Sequence, residues 1–146
     1  MALGTILYAE DEPSDIFFLE RAFKVTQLPH LLKAVADGHA ALEYLAGNGI
    51  FADRELNPLP CLVLLDINMP KKSGFEVLEW IRRQPGLRSL PVLMLTSSSH
   101  DADRETAYRL GADDFLLKPS DPLKLDEVVK LIHTRWLLPS TDLAEA

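Results

Sequence analysis

Five short apolar runs, each followed by a stretch of helical periodicity, constrain the fold of this chain more than any other feature. The runs are Thr5 to Ala9, Leu31 to Ala36, Cys61 to Leu65, Val92 to Leu95 and Phe115 to Leu117. Each has the length of a strand and is apolar almost throughout, the pattern of a strand covered on both faces. Between them lie helical candidates. Pro13 suits an opening turn, and Ile16, Leu19 and Phe23 follow on one face. Asp37 and Gly38 can cap a helix carrying Leu42 and Leu45, and Ser73 one carrying Val77, Leu78 and Ile81. Asp101 to Leu110 reads as a polar helix stopped by Gly111. Pro122 to Trp136 closes the series, with Leu125, Val128, Val129, Ile132 and Trp136 on one stripe and Leu131 and Leu138 on another. Alternating strands and helices require a parallel sheet covered on both sides, and right-handed crossovers leave few topologies. The expectation is a flavodoxin-like doubly wound five-stranded sheet, (βα)5, in strand order 2-1-3-4-5.

One domain accounts for the 146 residues, with residues 1–138 as its body and 139–146 as a fraying tail. The stretch from Gly47 to Pro60 is rich in Gly, Asn and Pro and reads as a surface loop. A formal net charge of -7 with no Lys/Arg run argues against direct nucleic-acid binding, which needs clustered cations. The start lacks a basic region followed by a long apolar one, and no apolar stretch reaches bilayer length. A cytoplasmic protein without membrane association is expected. Cys61 is the single cysteine, which excludes an intrachain disulfide, and its place within the apolar run Cys61 to Leu65 reads as a buried small hydrophobe. His30, His39, His100 and His133 show no metal-ligand spacing, and Lys71 and Lys72 read as a solvated loop.

In an open α/β sheet the ligand site lies beyond the carboxyl ends of the strands. Here those ends carry Glu10, Asp11 and Glu12, then Asp66, then Thr96 and Ser97, and finally Lys118 before Pro119. Clustered carboxylates repel one another unless a cation sits among them. Oxygen ligands of this kind suit Mg²⁺. Asp11 and Asp66 are expected as direct ligands, Glu10 as a direct or water-mediated one, and the backbone carbonyl of Asn68 as a further oxygen. Asp66 is the candidate nucleophile, since a carboxylate can form an acyl phosphate. Thr96 and Lys118 can then stabilise the phosphoryl oxygens. Singly, each of these residues would read as a turn, a cap or a solvated charge. Their coincidence at four strand ends points to one site.

The segment LVLLDINMPKKSGFEVLEWIR closely resembles the phosphoacceptor segment of response-regulator receiver domains. ILYAEDEPSD resembles their acidic-pair segment, VLMLTSSS their switch-threonine strand and DDFLLKP their lysine strand. The resemblance covers about Thr5 to Ile132. It implies that Asp66 is the phosphoacceptor, that Glu10 and Asp11 hold Mg²⁺, and that Lys118 contacts the phosphoryl group. It also implies that Thr96 and Phe115 form the switch, with a histidine kinase as phosphodonor. On phosphorylation the threonine would move inward and the aromatic ring would follow, a two-state element biased by local charge. Slow self-dephosphorylation would accompany this, and Asn68 and Ser98 lie where the family tunes it. The resemblance further implies a cis peptide between Lys118 and Pro119.

Phe115 lacks the hydroxyl of the Tyr common at its position, so its two states are expected to differ by packing alone. The acidic pair is Glu-Asp in place of Asp-Asp. The long loop before Pro60 and the ending TRWLLP resemble the small regulators that partner bacterial phytochrome-type histidine kinases. With no further domain after the last helix, output is expected through protein contact, and a homodimer through the C-terminal helix, using Leu131 and Leu138, is one such contact. Two other functions compete with this reading. A degenerate receiver acting as an adaptor without phosphorylation would usually lack one of the site residues, and all are present. A haloacid dehalogenase-type phosphatase would carry D-x-D at the end of its first strand, whereas the candidate here is D-x-N on the third.

Overall fold

The computed structural model describes residues 4–138, so the expected tail from residue 139 lies outside the described residues. Its strands are β1 (Thr5–Ala9), β2 (Leu31–Val35), β3 (Leu62–Leu65), β4 (Val92–Thr96) and β5 (Asp114–Leu117). Its helices are α1 (Pro13–Val25), α2 (Gly38–Ala46), α3 (Gly74–Arg83), α4 (Asp101–Arg109) and α5 (Leu125–Ile132). All strand pairs are parallel, in the order β2-β1-β3-β4-β5. The doubly wound expectation holds.

Alternate residues of the central strands feed two cores, one on each face of the sheet. Leu7, Ala9, Val63, Leu65, Val92 and Met94 pack with Tyr44 and Leu45 of α2, Val77, Leu78 and Ile81 of α3 and Ala107 of α4. Ile6, Tyr8, Leu62, Leu64, Leu93 and Leu95 pack with Leu19, Ala22 and Phe23 of α1 and Leu125, Val129 and Ile132 of α5. Burial on both sides is why these strands read as unbroken apolar runs.

Three caps follow the local rules. Pro13 occupies the first turn of α1, and Asp37 accepts from the Ala40 N–H at the start of α2. Ser73 and Glu76 form a reciprocal capping box on α3. The Gly47–Pro60 loop is held by Arg54, whose guanidinium donates to the carbonyls of Tyr44, Leu45 and Asn57 at 2.8, 2.9 and 3.1 Å. The last carbonyls of α2 are thereby satisfied from a distance in sequence.

Some sequence expectations need correction. β2 and β5 are edge strands with one neighbour each, so they are not fully buried; Leu31 is 55% exposed and Leu117 43%. Cys61 is exposed, because the strand begins one residue later and only its backbone is engaged, through an N–H donated to Thr5 O at 2.9 Å. The closing helix is not continuous from Pro122 to Trp136. Pro122–Lys124 form a 3₁₀ turn, α5 follows, and His133–Leu137 form one wide π-helical turn. That turn brings the Trp136 indole N–H and the Arg135 guanidinium onto the Asp114 carboxylate at 3.2 and 3.1 Å. Leu131 packs against the second core and not on a separate outer face. No helix among the described residues is long and apolar enough to cross a membrane.

His30, at the entrance to β2, is 8% exposed, and its Nδ1 has no hydrogen-bond partner among the described residues. Burial, and secondarily the charge of His133, hold its pKa below the ordinary 6.5. As pH falls the unfolded chain therefore takes up this proton first. The His30 contribution to stability is complete above about pH 6.5 and is lost as pH falls through the lower folded value. Urea denaturation of wild type and His30→Leu at pH 7.5 and 5.5 should show a smaller acid-induced loss of stability in the variant. Parallel losses in the two proteins would remove His30 from the account.

Candidate functional site

The parallel ladder extends one residue past β1, β3 and β5 and so fixes three site residues. Glu10 N–H donates to Val35 O at 3.0 Å, Asp66 N–H to Ala9 O at 3.2 Å, and Lys118 N–H to Thr96 O at 2.8 Å. Strand ends that are distant in sequence thus meet along one edge of the sheet. Gly74 closes the site from behind. A β-carbon there would come 2.1 Å from the Asp66 carbonyl oxygen, so only glycine lets α3 start this close to Asp66.

Glu10, Asp11 and Asp66 each offer a carboxylate oxygen within 4.8 Å of the others. Glu10 is fully buried, Asp66 nearly so, and Asp11 is exposed. Burial raises the Glu10 pKa, opposed by Lys118 and by the Glu12 N–H, which donates to Oε2 at 3.1 Å. The Tyr8 hydroxyl donates to Glu10 Oε1 at 3.2 Å. Burial, and then the charges of Glu10 and Asp15, push that phenol well above its usual range.

The compensating cation is Lys118. Its ammonium bonds Glu10 Oε1, Asp15 Oδ2 at 3.0 Å and Asp66 Oδ2 at 3.2 Å. Burial alone would lower its pKa, but the Glu10 bond and the charges of Asp66 and Glu10 outweigh that and hold the lysine charged. Asp66 Oδ1 accepts from the Ile67 N–H at 2.8 Å.

The other expected residues take separate places. Thr96 is buried at the end of β4, and its hydroxyl accepts from the Ser98 N–H at 3.3 Å. Asn68 is exposed in the loop after Asp66. Phe115 is buried at 4% exposure, and the Arg104 guanidinium lies over its ring at 5.1 Å from the centroid. The expectation that packing alone governs Phe115 is therefore incomplete, because a cation–π contact from α4 adds to it. The peptide between Lys118 and Pro119 is trans, as are all others among the described residues, contrary to the cis bond the resemblance implied. The lysine reaches the carboxylates without it. Asp15, Tyr8 and Arg104 were not singled out in the sequence. Asp15 carried one usable signal, an acid in the first turn of a helix that follows a candidate site strand.

Residues 6–130 match the family described as the response regulator receiver domain. The chain belongs to that family. Response regulator Rcp1 from Synechocystis sp. is 36% identical over 132 residues, covering 90% of this chain and 88% of Rcp1. Among solved structures, the phosphorylated cyanobacterial phytochrome response regulator RcpA superposes with a TM-score of 0.85 at 34% identity, over 93% of this chain and 95% of its own. The Mn²⁺-bound form of Rcp1 gives 0.81 at 35% identity, over 92% and 94% of the two chains. This receiver is thus a homologue of two-component response regulators, a family of signalling phosphoacceptors.

Receiver domains bind Mg²⁺ at such an acidic cluster, and the donor set here fits it. Three carboxylates converge with a lysine ammonium as the only cation bonded to them among the described residues. Hard oxygen donors on a rigid strand edge suit a small divalent ion. Because these acids are dispersed in the unfolded chain, Mg²⁺ should raise the melting temperature. At a concentration 100 times Kd the stabilisation is about 2.7 kcal/mol. Asp11→Ala should remain folded, since Asp11 is exposed, and should lose the metal-dependent shift. A full shift in that variant would exclude Asp11 as a ligand.

Proposed function

We propose that this receiver takes a phosphoryl group from the phosphohistidine of a histidine kinase onto Asp66. The observation that carries this is the Lys118 ammonium held between Asp66 and Glu10, at the rim of an oxygen-only acidic cluster. A carboxylate oxygen of Asp66 attacks phosphorus and forms the acyl phosphate bond as the phosphorus–nitrogen bond to the imidazole breaks. The imidazole leaves on the kinase side. Glu10, Asp11, Asp66 and the Asn68 carbonyl would hold Mg²⁺, which would supply positive charge between the acceptor and the incoming group. Lys118 supplies a second positive charge to the phosphoryl oxygens, and the Thr96 hydroxyl a hydrogen bond. Water attack on the acyl phosphate gives a slow self-dephosphorylation that resets the domain.

Output passes through Thr96, Phe115 and Arg104 to the face formed by α4, β5 and α5. Asp114 ties that face together. It accepts from Tyr108 on α4 at 3.4 Å, from the Phe115 N–H at 2.9 Å, and from Arg135 and Trp136 beyond α5. A shift of Phe115 is thereby coupled to both flanking helices. An adaptor without phosphorylation has no use for this complete cluster. The partner in this reading is a phytochrome-type kinase, supported by the likeness to RcpA and Rcp1. The setting is the cytoplasm, where a kinase meets ATP.

Intact-mass measurement after incubation with acetyl phosphate and Mg²⁺ should show one phosphoryl group on wild type and none on Asp66→Asn. Chelation of the metal should abolish it. Equal adducts on both proteins would refute the assignment.

We also propose that the C-terminal region supports a homodimer. Of the expected contact residues, Leu131 packs inward and Leu138 is half-buried; Leu117 at the end of β5 and Leu123 in the turn before α5 are exposed and available to a partner. An isologous contact would use the same patch on both copies. Sedimentation with beryllofluoride should give a dimer for wild type and a monomer for Leu117→Glu/Leu123→Glu. A wild type that stays monomeric at high concentration excludes it.

A further inference from the structure

We propose that Asp15 is a positioning residue that holds the Lys118 ammonium aside while a divalent cation occupies Glu10, Asp11 and Asp66. This rests on the metal reading of the acidic cluster. Lys118 has three carboxylate partners, and they are not equivalent. Glu10 and Asp66 belong to the group whose oxygens lie within 4.8 Å of one another, together with Asp11. Asp15 is outside that group, and it approaches the ammonium from α1 at 3.0 Å.

In the structure the ammonium spans Glu10 and Asp66, and so uses the carboxylates that a metal ion must take. The two cations compete, because sharing those oxygens places like charges side by side in a poorly solvated pocket. When the metal wins, Lys118 must leave Glu10 and Asp66, and Asp15 is the partner it keeps. Asp15 is well placed for this. It sits in the first turn of α1, where an acid is favoured, and its N–H donates to Glu12 O at 3.1 Å. Its side chain is partly exposed where that of Lys118 is nearly covered, so Asp15 tolerates either state of the lysine. Held at this distance, the ammonium stays at the rim of the cluster, within reach of an arriving phosphoryl oxygen. Among the described residues, the ammonium without Asp15 has no partner other than the metal's own ligands.

Titration with Mn²⁺, with free metal counted by electron paramagnetic resonance, tests this on wild type, Asp15→Asn, Asp15→Glu, Lys118→Met and the Asp15→Asn/Lys118→Met pair. Circular dichroism and urea denaturation confirm that each is folded. Asp15→Asn should weaken Mn²⁺ binding by about five- to tenfold, Asp15→Glu should recover most of it, and Lys118→Met should bind more tightly than wild type. In the Lys118→Met background, Asp15→Asn should change affinity by less than about twofold, because nothing then needs to be held aside. Unchanged affinity in Asp15→Asn overturns the proposal and leaves the metal site intact. So does an equal loss in both backgrounds, which would make Asp15 a bulk charge only. Identical Mn²⁺ binding by wild type and Asp11→Ala would bring down the metal reading itself.

Discussion

A carboxylate that is fully buried and a lysine that is nearly so can persist in a fold only because each satisfies the other. Glu10 is shielded from solvent at the end of β1, and Lys118 from β5 meets it across the sheet edge. Removing either partner alone would strand a charge away from water, a far larger penalty than the pair's net worth. The arrangement is therefore poised more than it is stabilising. The cluster of Glu10, Asp11 and Asp66 carries more negative charge than one ammonium can balance. That excess is what makes a second cation, and then a phosphoryl group paired with it, favourable there.

The sheet converts this electrostatic problem into a site. Parallel strands end together, so hydrogen bonds running one residue beyond β1, β3 and β5 hold Glu10, Asp66 and Lys118 by their backbones. Their side chains inherit that rigidity. The close approach of Gly74 to the Asp66 carbonyl and the capping box at Ser73 fix the loop that follows the acceptor. On the far side, Phe115 lies under Arg104 of α4, and its N–H donates to Asp114.

Much of this was legible in the sequence because its causes are local or periodic. Cys61 to Leu65 read as a strand buried on both faces, which holds from Leu62, Asp37 and Ser73 read as caps, and acids, a hydroxyl and a lysine stood at successive strand ends. What escaped depends on distant neighbours. The exposure of Leu31 and Leu117 follows from their strands lying at the edges, which an apolar run cannot announce. Cys61 sits one residue outside its strand, and that displacement alone decides its exposure. The wide turn at His133–Leu137 places Arg135 and Trp136 on Asp114, a partner more than twenty residues away. Arg54 closing α2, Arg104 over Phe115 and Asp15 facing Lys118 are all long side chains or helix-borne acids whose roles appear only in three dimensions.

In the proposed cycle Lys118 leaves Glu10 and Asp66 for a phosphoryl group on Asp66, with a metal ion among the acids it leaves. A crystal structure of the receiver with Mg²⁺ and beryllofluoride tests it most directly. The expected result is beryllofluoride on the Asp66 carboxylate, the ion held by Glu10, Asp11 and Asp66, and the Lys118 ammonium moved from Glu10 onto a fluorine. Beryllofluoride bound away from Asp66, or Lys118 still bridging Glu10 and Asp66 with the site loaded, would contradict it.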